Sequence, residues 1–160
     1  MAGTFPESVE RVSAFLRDAG AEARIQEFPD GTHTAQDAAD AVGCDLAQIV
    51  KSLVFVCGGK PVVALVPGDR RGDAGKVARA LDASEARVAK PDEVEDATGF
   101  VPGAVPPFPL PDVDTVLIDL TLLRHPLVWA GAGSPKHVLG MAPSELARLS
   151  RARPVDVSAD

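Results

Sequence analysis

Lys51 stands between Ile49-Val50 and the apolar run Leu53-Val-Phe-Val-Cys57. A lysine at the lip of a core strand packs its methylenes along the wall and presents its ammonium to an anionic or carbonyl ligand. The same placement also fits a lysine that only snorkels at an element boundary. The second chemical candidate is Gly131-Ala-Gly133-Ser134-Pro135, which follows an expected strand and reads as a turn with several unobstructed backbone N–H groups. Such a turn forms an anion nest or holds a developing oxyanion, and a plain hairpin turn is the competing reading. It is too short for a phosphate-binding P-loop and lacks the Gly-Lys-Ser/Thr ending, and Lys136 breaks a Gly-x-Gly-x-x-Gly pattern.

His33, beside Thr34 in a turn, and His137, just after the glycine segment, are candidate pocket residues. With His125 they are scattered without ligand spacing, so no metal site is expected. Cys57 lies inside an apolar strand and reads as core, while Cys44 sits nearer a surface turn with no adjacent base. There is no Gly-x-Ser-x-Gly elbow and no recognisable triad. A hydrolase built from these residues works by positioning and electrostatics, with water or the substrate itself supplying the attacking group.

The net charge of −7 argues against broad electrostatic binding to nucleic acid, DNA included, which relies on many phosphate neutralisations. A local patch is still available. Arg70, Arg71 and Lys76 form the densest positive cluster, diluted by Asp69 and Asp73. They are read as a weak, salt-sensitive phosphate contact, against the alternative of a solvated loop and helix face. Six Phe, one Trp and no Tyr are too few aromatic rings for a base-stacking platform across a sheet.

These groups need elements to hold them. The segment from Gly99 to Asp112 concentrates five of the fourteen prolines and two glycines, which makes a stiff loop outside helix and sheet. Phe100, Val101, Val105 and Phe108 are too apolar for a solvated linker, so the loop is expected to be ordered and to wall a pocket. Val9, Val12, Phe15, Leu16 and Ala19 recur at helical spacing before Gly20. A strand over residues 23–28 and a helix capped by Thr34 and ended by Gly43 follow. Leu53–Cys57 and Val62–Val66 read as a hairpin of buried strands around Gly58-Gly59, with both faces covered. Beyond them come a helix over residues 73–81, a strand over 87–89 and a helix opened by Pro91. Strands over 115–119, 128–130 and 137–139, a helix over 143–149 and a final edge strand over 155–157 complete the chain.

The whole reads as a single α/β domain over residues 1–160, with a mixed, largely antiparallel sheet flanked by helices. No apolar run reaches the ~20 residues a membrane span needs, and residues 1–18 alternate charge with apolar positions instead of forming a secretory core. Two cysteines make no disulfide framework. A soluble cytoplasmic protein with no membrane partner is the expectation.

Three stretches taken together carry a resemblance: Ile49-Val-Lys51-Ser-Leu-Val-Phe55, Gly99-Phe-Val-Pro-Gly103-Ala-Val-Pro-Pro-Phe108 and Ala130-Gly-Ala-Gly-Ser-Pro135. In this order, over about residues 9–149, the chain resembles the YbaK family, also known as the prolyl-tRNA synthetase-associated editing domain. The resemblance implies a freestanding deacylase that acts in trans on the ester of a mischarged tRNA, often tRNA(Pro). It implies that Lys51 is the residue most tied to activity and positions the terminal adenosine and its ester. It further implies that Gly99, Gly103, Val105, Pro107 and Phe108, with Gly131, Gly133, Ser134 and Pro135, line the aminoacyl pocket largely through backbone groups. No metal, cofactor or protein nucleophile is implied, and a synthetase is a possible partner. Where the family's cysteinyl-tRNA(Pro) deacylases resemble Gly-Gly-Lys-Arg-Gly, this chain has Gly-Ala-Gly-Ser-Pro-Lys-His137. Alanine, serine, threonine and non-protein amino acids therefore stand beside cysteine as the group removed. Two other classes compete: a non-catalytic module that binds aminoacyl-tRNA or a nucleotide as an accessory to a synthetase, and a hydrolase that uses Cys44 or Cys57.

Overall fold

A computed structural model describes residues 5–21 and 23–160; Met1–Thr4, part of the N-terminal stretch read above, and Glu22 lie outside the described residues. The first half runs α1 (Glu7–Asp18), β1 (Ile25–Glu27), α2 (Ala35–Val42), a 3-10 turn (Leu46–Gln48), β2 (Ile49–Cys57), β3 (Lys60–Pro67) and β4 (Arg71–Gly72). The second runs α3 (Ala74–Ala80), β5 (Ala86–Val88), α4 (Pro91–Thr98), β6 (Thr115–Asp119), a 3-10 turn (Leu120–Arg124), β7 (Val128–Ser134), β8 (His137–Met141), α5 (Pro143–Ser150), β9 (Arg153–Val155) and β10 (Ser158–Ala159). Among the described residues no helix is long and apolar enough to cross a membrane.

The local signals act as their chemistry dictates. Val9, Val12 and Leu16 give α1 one buried stripe. The Thr34 hydroxyl accepts from the Asp37 N–H at 3.0 Å, and Gly43 closes α2 in the left-handed region. Pro91 occupies the first turn of α4.

The main sheet has the order β1-β8-β7-β2-β3-β6-β9, with β5 pairing β2 near its far end. The pairs β2–β7, β3–β6 and β6–β9 are parallel and the others antiparallel, which is the mixed sheet expected. The continuous apolar character of β2 and β3 follows from burial on both faces. Val54, Val63 and Leu65 join the larger core, with Val12 and Leu16 of α1, Phe108 of the proline-rich loop and Leu146 of α5. Phe55, Val62, Ala64 and Val66 pack on the other face against Val77 of α3 and Val157.

Two expectations are corrected. Gly131–Pro135 is not a turn: β7 continues through Ser134, the turn is Pro135-Lys136, and the ladder to β8 is irregular between Gly131 and Ser134. The irregularity belongs to Gly133, whose φ is +102° and whose added Cβ would lie 2.6 Å from the Ser8 carbonyl oxygen, so α1 sits against bare backbone. The final strand also lies elsewhere. β9 pairs with β6 at Arg153–Val155, whereas Val157 is buried in the second core and β10 pairs with β4 in a separate small sheet. A buried carboxylate, Asp119, accepts the Val157 N–H at 3.0 Å and holds the chain off the edge of the main sheet.

Candidate functional site

The parallel ladder between β2 and β7 consists of Ile49↔Trp129 and Val50↔Ala130 only. Beyond it the strands part, and Lys51, Ser52 and Leu53 on one side and Gly131 on the other line a cavity of about 270 Å³. Ala35, Ala38 and Val42 of α2 form one wall, and Gly103 and Val105 of the proline-rich loop form another. Trp129, Val138, Ser134 and Pro135 come from the β7–β8 hairpin, and Thr32 and His33 complete the rim. The rim is braced on that hairpin: the Thr32 N–H and hydroxyl both donate to the Pro135 carbonyl, and the Phe28 N–H donates to the Lys136 carbonyl at 2.7 Å.

Among the described lining residues, Lys51 and His33 are the only ionisable side chains in an otherwise largely apolar wall. Burial pushes the Lys51 ammonium below the ordinary lysine pKa, and the nearby Asp69 carboxylate offsets part of that shift. The Lys51 Nζ donates to the Arg70 backbone carbonyl at 2.5 Å. A cation held on a neutral acceptor keeps its charge for whatever enters the cavity.

Behind the hairpin wall, Ser134 Oγ accepts the Lys136 N–H at 3.0 Å and lies 2.6 Å from His137 Nδ1. Which of the two donates follows the ring's tautomer: Nδ1 accepts the serine proton when Nε2 carries the hydrogen, and otherwise donates to Oγ. His137 is 2% exposed, packs edge-on to Phe5 with centroids 5.6 Å apart, and has Nε2 3.3 Å from a Glu27 carboxylate oxygen without a hydrogen bond. It stands behind the pocket wall and reaches the cavity through Ser134.

Of the residues singled out from sequence, Lys51, His33, Gly103, Val105, Gly131, Ser134 and Pro135 meet at this cavity. The others do not line it. Thr34 caps α2, Gly99 caps α4 and offers its carbonyl to Arg11, and Gly133 backs onto α1. Pro107 and Phe108 border a groove on another side, where the buried Phe108 ring stacks on Phe15 with centroids 4.9 Å apart. Arg70, Arg71 and Lys76 lie together, but each is engaged with the chain's last five residues. Arg70 bonds Ser158 and Asp160, Arg71 bonds the Asp160 carbonyl, and Lys76 bonds Asp156 and the Ser158 carbonyl. Neither cysteine lines the cavity, and the Cys44 thiol is pushed up by burial and by the Asp45 charge. Sequence reasoning missed Thr32, Ser52 and Trp129. Their only signals were the adjacency of Ser52 to Lys51 and the rarity of tryptophan, the chain's single one.

A family model described as the aminoacyl-tRNA editing domain matches residues 29–149, a span that holds every element of the cavity wall. The chain belongs to that family. The editing domain is also similar to the uncharacterized protein YwhH of Bacillus subtilis (strain 168), 32% identical over 144 residues, which are 89% of this chain and 91% of that one. It is similar to a proline–tRNA ligase of Nitratidesulfovibrio vulgaris (strain DP4), 37% identical over 103 residues, 64% of this chain but only 18% of the ligase. Among solved structures, the crystal structure of "a putative trans-editing enzyme for prolyl tRNA synthetase" superposes with a TM-score of 0.88 at 38% identity, covering 98% of this chain and all of that one. In this editing domain the matched region includes Lys51, the split between β2 and β7, the proline-rich loop and the hairpin wall, whereas β9 and β10 fall after it.

Proposed function

We propose that the protein is a trans-acting aminoacyl-tRNA deacylase that removes a wrongly attached small amino acid from tRNA, with tRNA(Pro) the first candidate. The observation that carries this reading is a partly desolvated ammonium, Lys51, at the edge of a small, mostly apolar cavity. The family membership supports an ester of aminoacyl-tRNA as substrate, and the likeness to prolyl-tRNA-linked editing proteins supports tRNA(Pro).

In this reading the aminoacyl side chain enters the cavity and the terminal adenosine stays at the Lys51 edge. Water attacks the ester carbonyl carbon, assisted by a hydroxyl of the substrate that orients it. The C–O bond to the ribose breaks, and the attacking oxygen's proton passes to the departing ribose hydroxyl. Lys51 and backbone N–H groups stabilise the oxyanion formed on the way. The aminoacyl side chain meets Ala35, Ala38, Val105 and Val138 in a cavity of about 270 Å³. One methylene is worth only ~1–3 kcal/mol in such a pocket, so the sieve works by the poor fit of the correct product to the shape and polarity of this wall. Arg70, Arg71 and Lys76 serve the acceptor-stem phosphates in exchange for their contacts to Asp156 and Asp160.

The test is deacylation of tRNA(Pro) charged with alanine, cysteine, serine, threonine or proline, using catalytic amounts of wild type and Lys51→Ala. Turnover of one or two noncognate esters, prolyl-tRNA spared, is expected. Losing the Lys51 charge should reduce kcat by about 10²–10³, the usual effect of removing one oxyanion donor. A folded Lys51→Ala protein with unchanged turnover refutes the role of Lys51. Stoichiometric protection of every ester without turnover would make the protein a binding module instead.

A further inference from the structure

Lys51 is anchored by a residue 19 positions away, and that residue is anchored in turn by the chain's last residues. The Lys51 ammonium donates to the Arg70 backbone carbonyl, at the end of the turn that follows β3. A lysine side chain is flexible, and an acceptor at a fixed place selects one of its rotamers. The carbonyl can do this only if the turn itself is immobile.

Several contacts make it so. The Gly68 N–H donates to the Ile49 carbonyl at 2.8 Å, and an added Cβ on Gly68 would lie 2.7 Å from the Leu46 carbonyl oxygen. On the far side, β4 pairs with β10 through Gly72↔Ser158 and Arg71↔Ala159, and the Asp73 N–H donates to the Val157 carbonyl at 2.9 Å. Between these points the Arg70 side chain turns back and donates from Nε to Ser158 Oγ at 2.6 Å. Ser158 is fully buried, and the N–H of its neighbour Val157 donates at 3.0 Å to the buried Asp119 carboxylate, which also accepts from Thr121. The guanidinium thus donates to a buried hydroxyl one residue beyond the backbone N–H that the carboxylate pins. The other partner of Arg70, Asp160, is wholly exposed, and such a pair contributes little. Ser158, not Asp160, is the anchor.

We propose that Arg70 is a positioning residue for Lys51: its side chain, tied to the buried Ser158 hydroxyl, fixes the carbonyl on which the Lys51 ammonium rests. This rests on the reading of Lys51 given above and assigns a task to β10 and to the Arg70–Ser158 contact, which lie away from the cavity. The arrangement couples the reacting edge of the site to β10 through a neutral carbonyl acceptor, with the Asp69 carboxylate nearby.

The test has two arms on the full chain. The first is single-turnover deacylation of alanyl-tRNA(Pro), or of whichever ester the panel finds to be cleaved, by wild type, Arg70→Ala, Arg70→Lys, Ser158→Ala and Asp160→Asn at two salt concentrations. Arg70→Ala is expected to lower kcat at least tenfold at both salts, with any rise in KM confined to the salt-sensitive loss of its phosphate contact. Arg70→Lys should restore part of the loss, Ser158→Ala should lower kcat in the same sense, and Asp160→Asn should stay within about twofold. The second arm is an NMR spectrum of protein labelled at lysine side-chain nitrogen, in which Lys51 is one of five lysines. A protected Lys51 ammonium signal in wild type should broaden or vanish in Arg70→Ala and Ser158→Ala while those of Lys60, Lys90 and Lys136, which lie outside this contact, stay in place.

An unperturbed Lys51 signal in folded Arg70→Ala overturns the proposal. So does a loss of activity that appears only as a raised KM and depends on salt, which would leave Arg70 a phosphate contact alone. If wild type cleaves no ester, the functional reading falls, and the NMR arm alone still decides whether Arg70 fixes Lys51.

Discussion

Replacing Phe108 separates a pocket wall from a core. Phe108 is 2% exposed, stacks on Phe15 of α1 and belongs to the core cluster that also contains Val12, Leu16 and Leu146. Removing its ring takes away about 150–250 Å² of buried surface, which at ~25 cal/mol per Å² is about 4–6 kcal/mol. That is an upper bound, because the unfolded chain already hides part of the ring, and measured Phe→Ala changes in cores fall at about 3–5 kcal/mol. Loss of the stacked pair is inside that range. At about 2–4 °C per kcal/mol for a chain of this size, a loss of about 4 kcal/mol lowers the midpoint by about 8–16 °C. The assay is urea unfolding followed by circular dichroism, with deacylation measured well below the lowered midpoint. Phe108→Ala is expected to lose about 3–5 kcal/mol with the slope on urea unchanged, and to retain turnover within about threefold. A stability loss under ~1.5 kcal/mol combined with a more than tenfold fall in turnover would refute the reasoning and return Phe108 to the pocket.

Gly133→Ala should destabilise by more than ~1 kcal/mol, because φ is +102° and the new Cβ would meet the Ser8 carbonyl; a thermal midpoint equal to wild type would show that α1 does not rest on this backbone. Asp119 supplies an acid dependence. Burial raises its pKa, but hydrogen bonds from Thr121, Val157 and Ser158 outweigh that and hold it below the ordinary carboxylate value. Its contribution is complete above the unfolded pKa of about 4 and is lost as pH falls through the lower folded value. Asp119→Asn should therefore cost stability at pH 7 and flatten the acid limb; urea midpoints that decline equally between pH 7 and pH 3 in both proteins would contradict this.

Much of the local structure was legible because short-range chemistry decides it. Thr34 and Gly43 bound a helix through one hydroxyl acceptor and one left-handed residue, and Pro91 opens another by lacking an N–H that the first turn leaves unpaired. The unbroken apolar runs of β2 and β3 announce burial on both faces. Where the reading failed, a distant partner had intervened. Gly131–Pro135 looks like a turn by composition, yet the chain extends to Ser134 because β8 and α1 give that backbone partners on two sides. Residues 155–157 read as an edge strand, but the Asp119 carboxylate, 38 positions earlier, captures the Val157 N–H and diverts them.

The site divides in the same way. Sequence by itself determined that Lys51 adjoins a buried apolar run and that a stiff apolar loop and a glycine-rich segment accompany it, because residue type and immediate neighbours carry that information. That β2 begins at Ile49, which makes Lys51 its third residue and not its lip, came from pairing with β3 and β7. Only the tertiary structure decided which residues meet. Whether a side chain of the proline-rich loop turns into the cavity, like Val105, or into the core, like Phe108, depends on what α1 and the sheet place opposite it. The cations show this most clearly: Arg70, Arg71 and Lys76 read as a free patch, and the folded chain brings Asp156, Ser158 and Asp160 back to meet them. Contacts across some 80 to 90 positions are set by strand pairing and burial, and no local pattern records them.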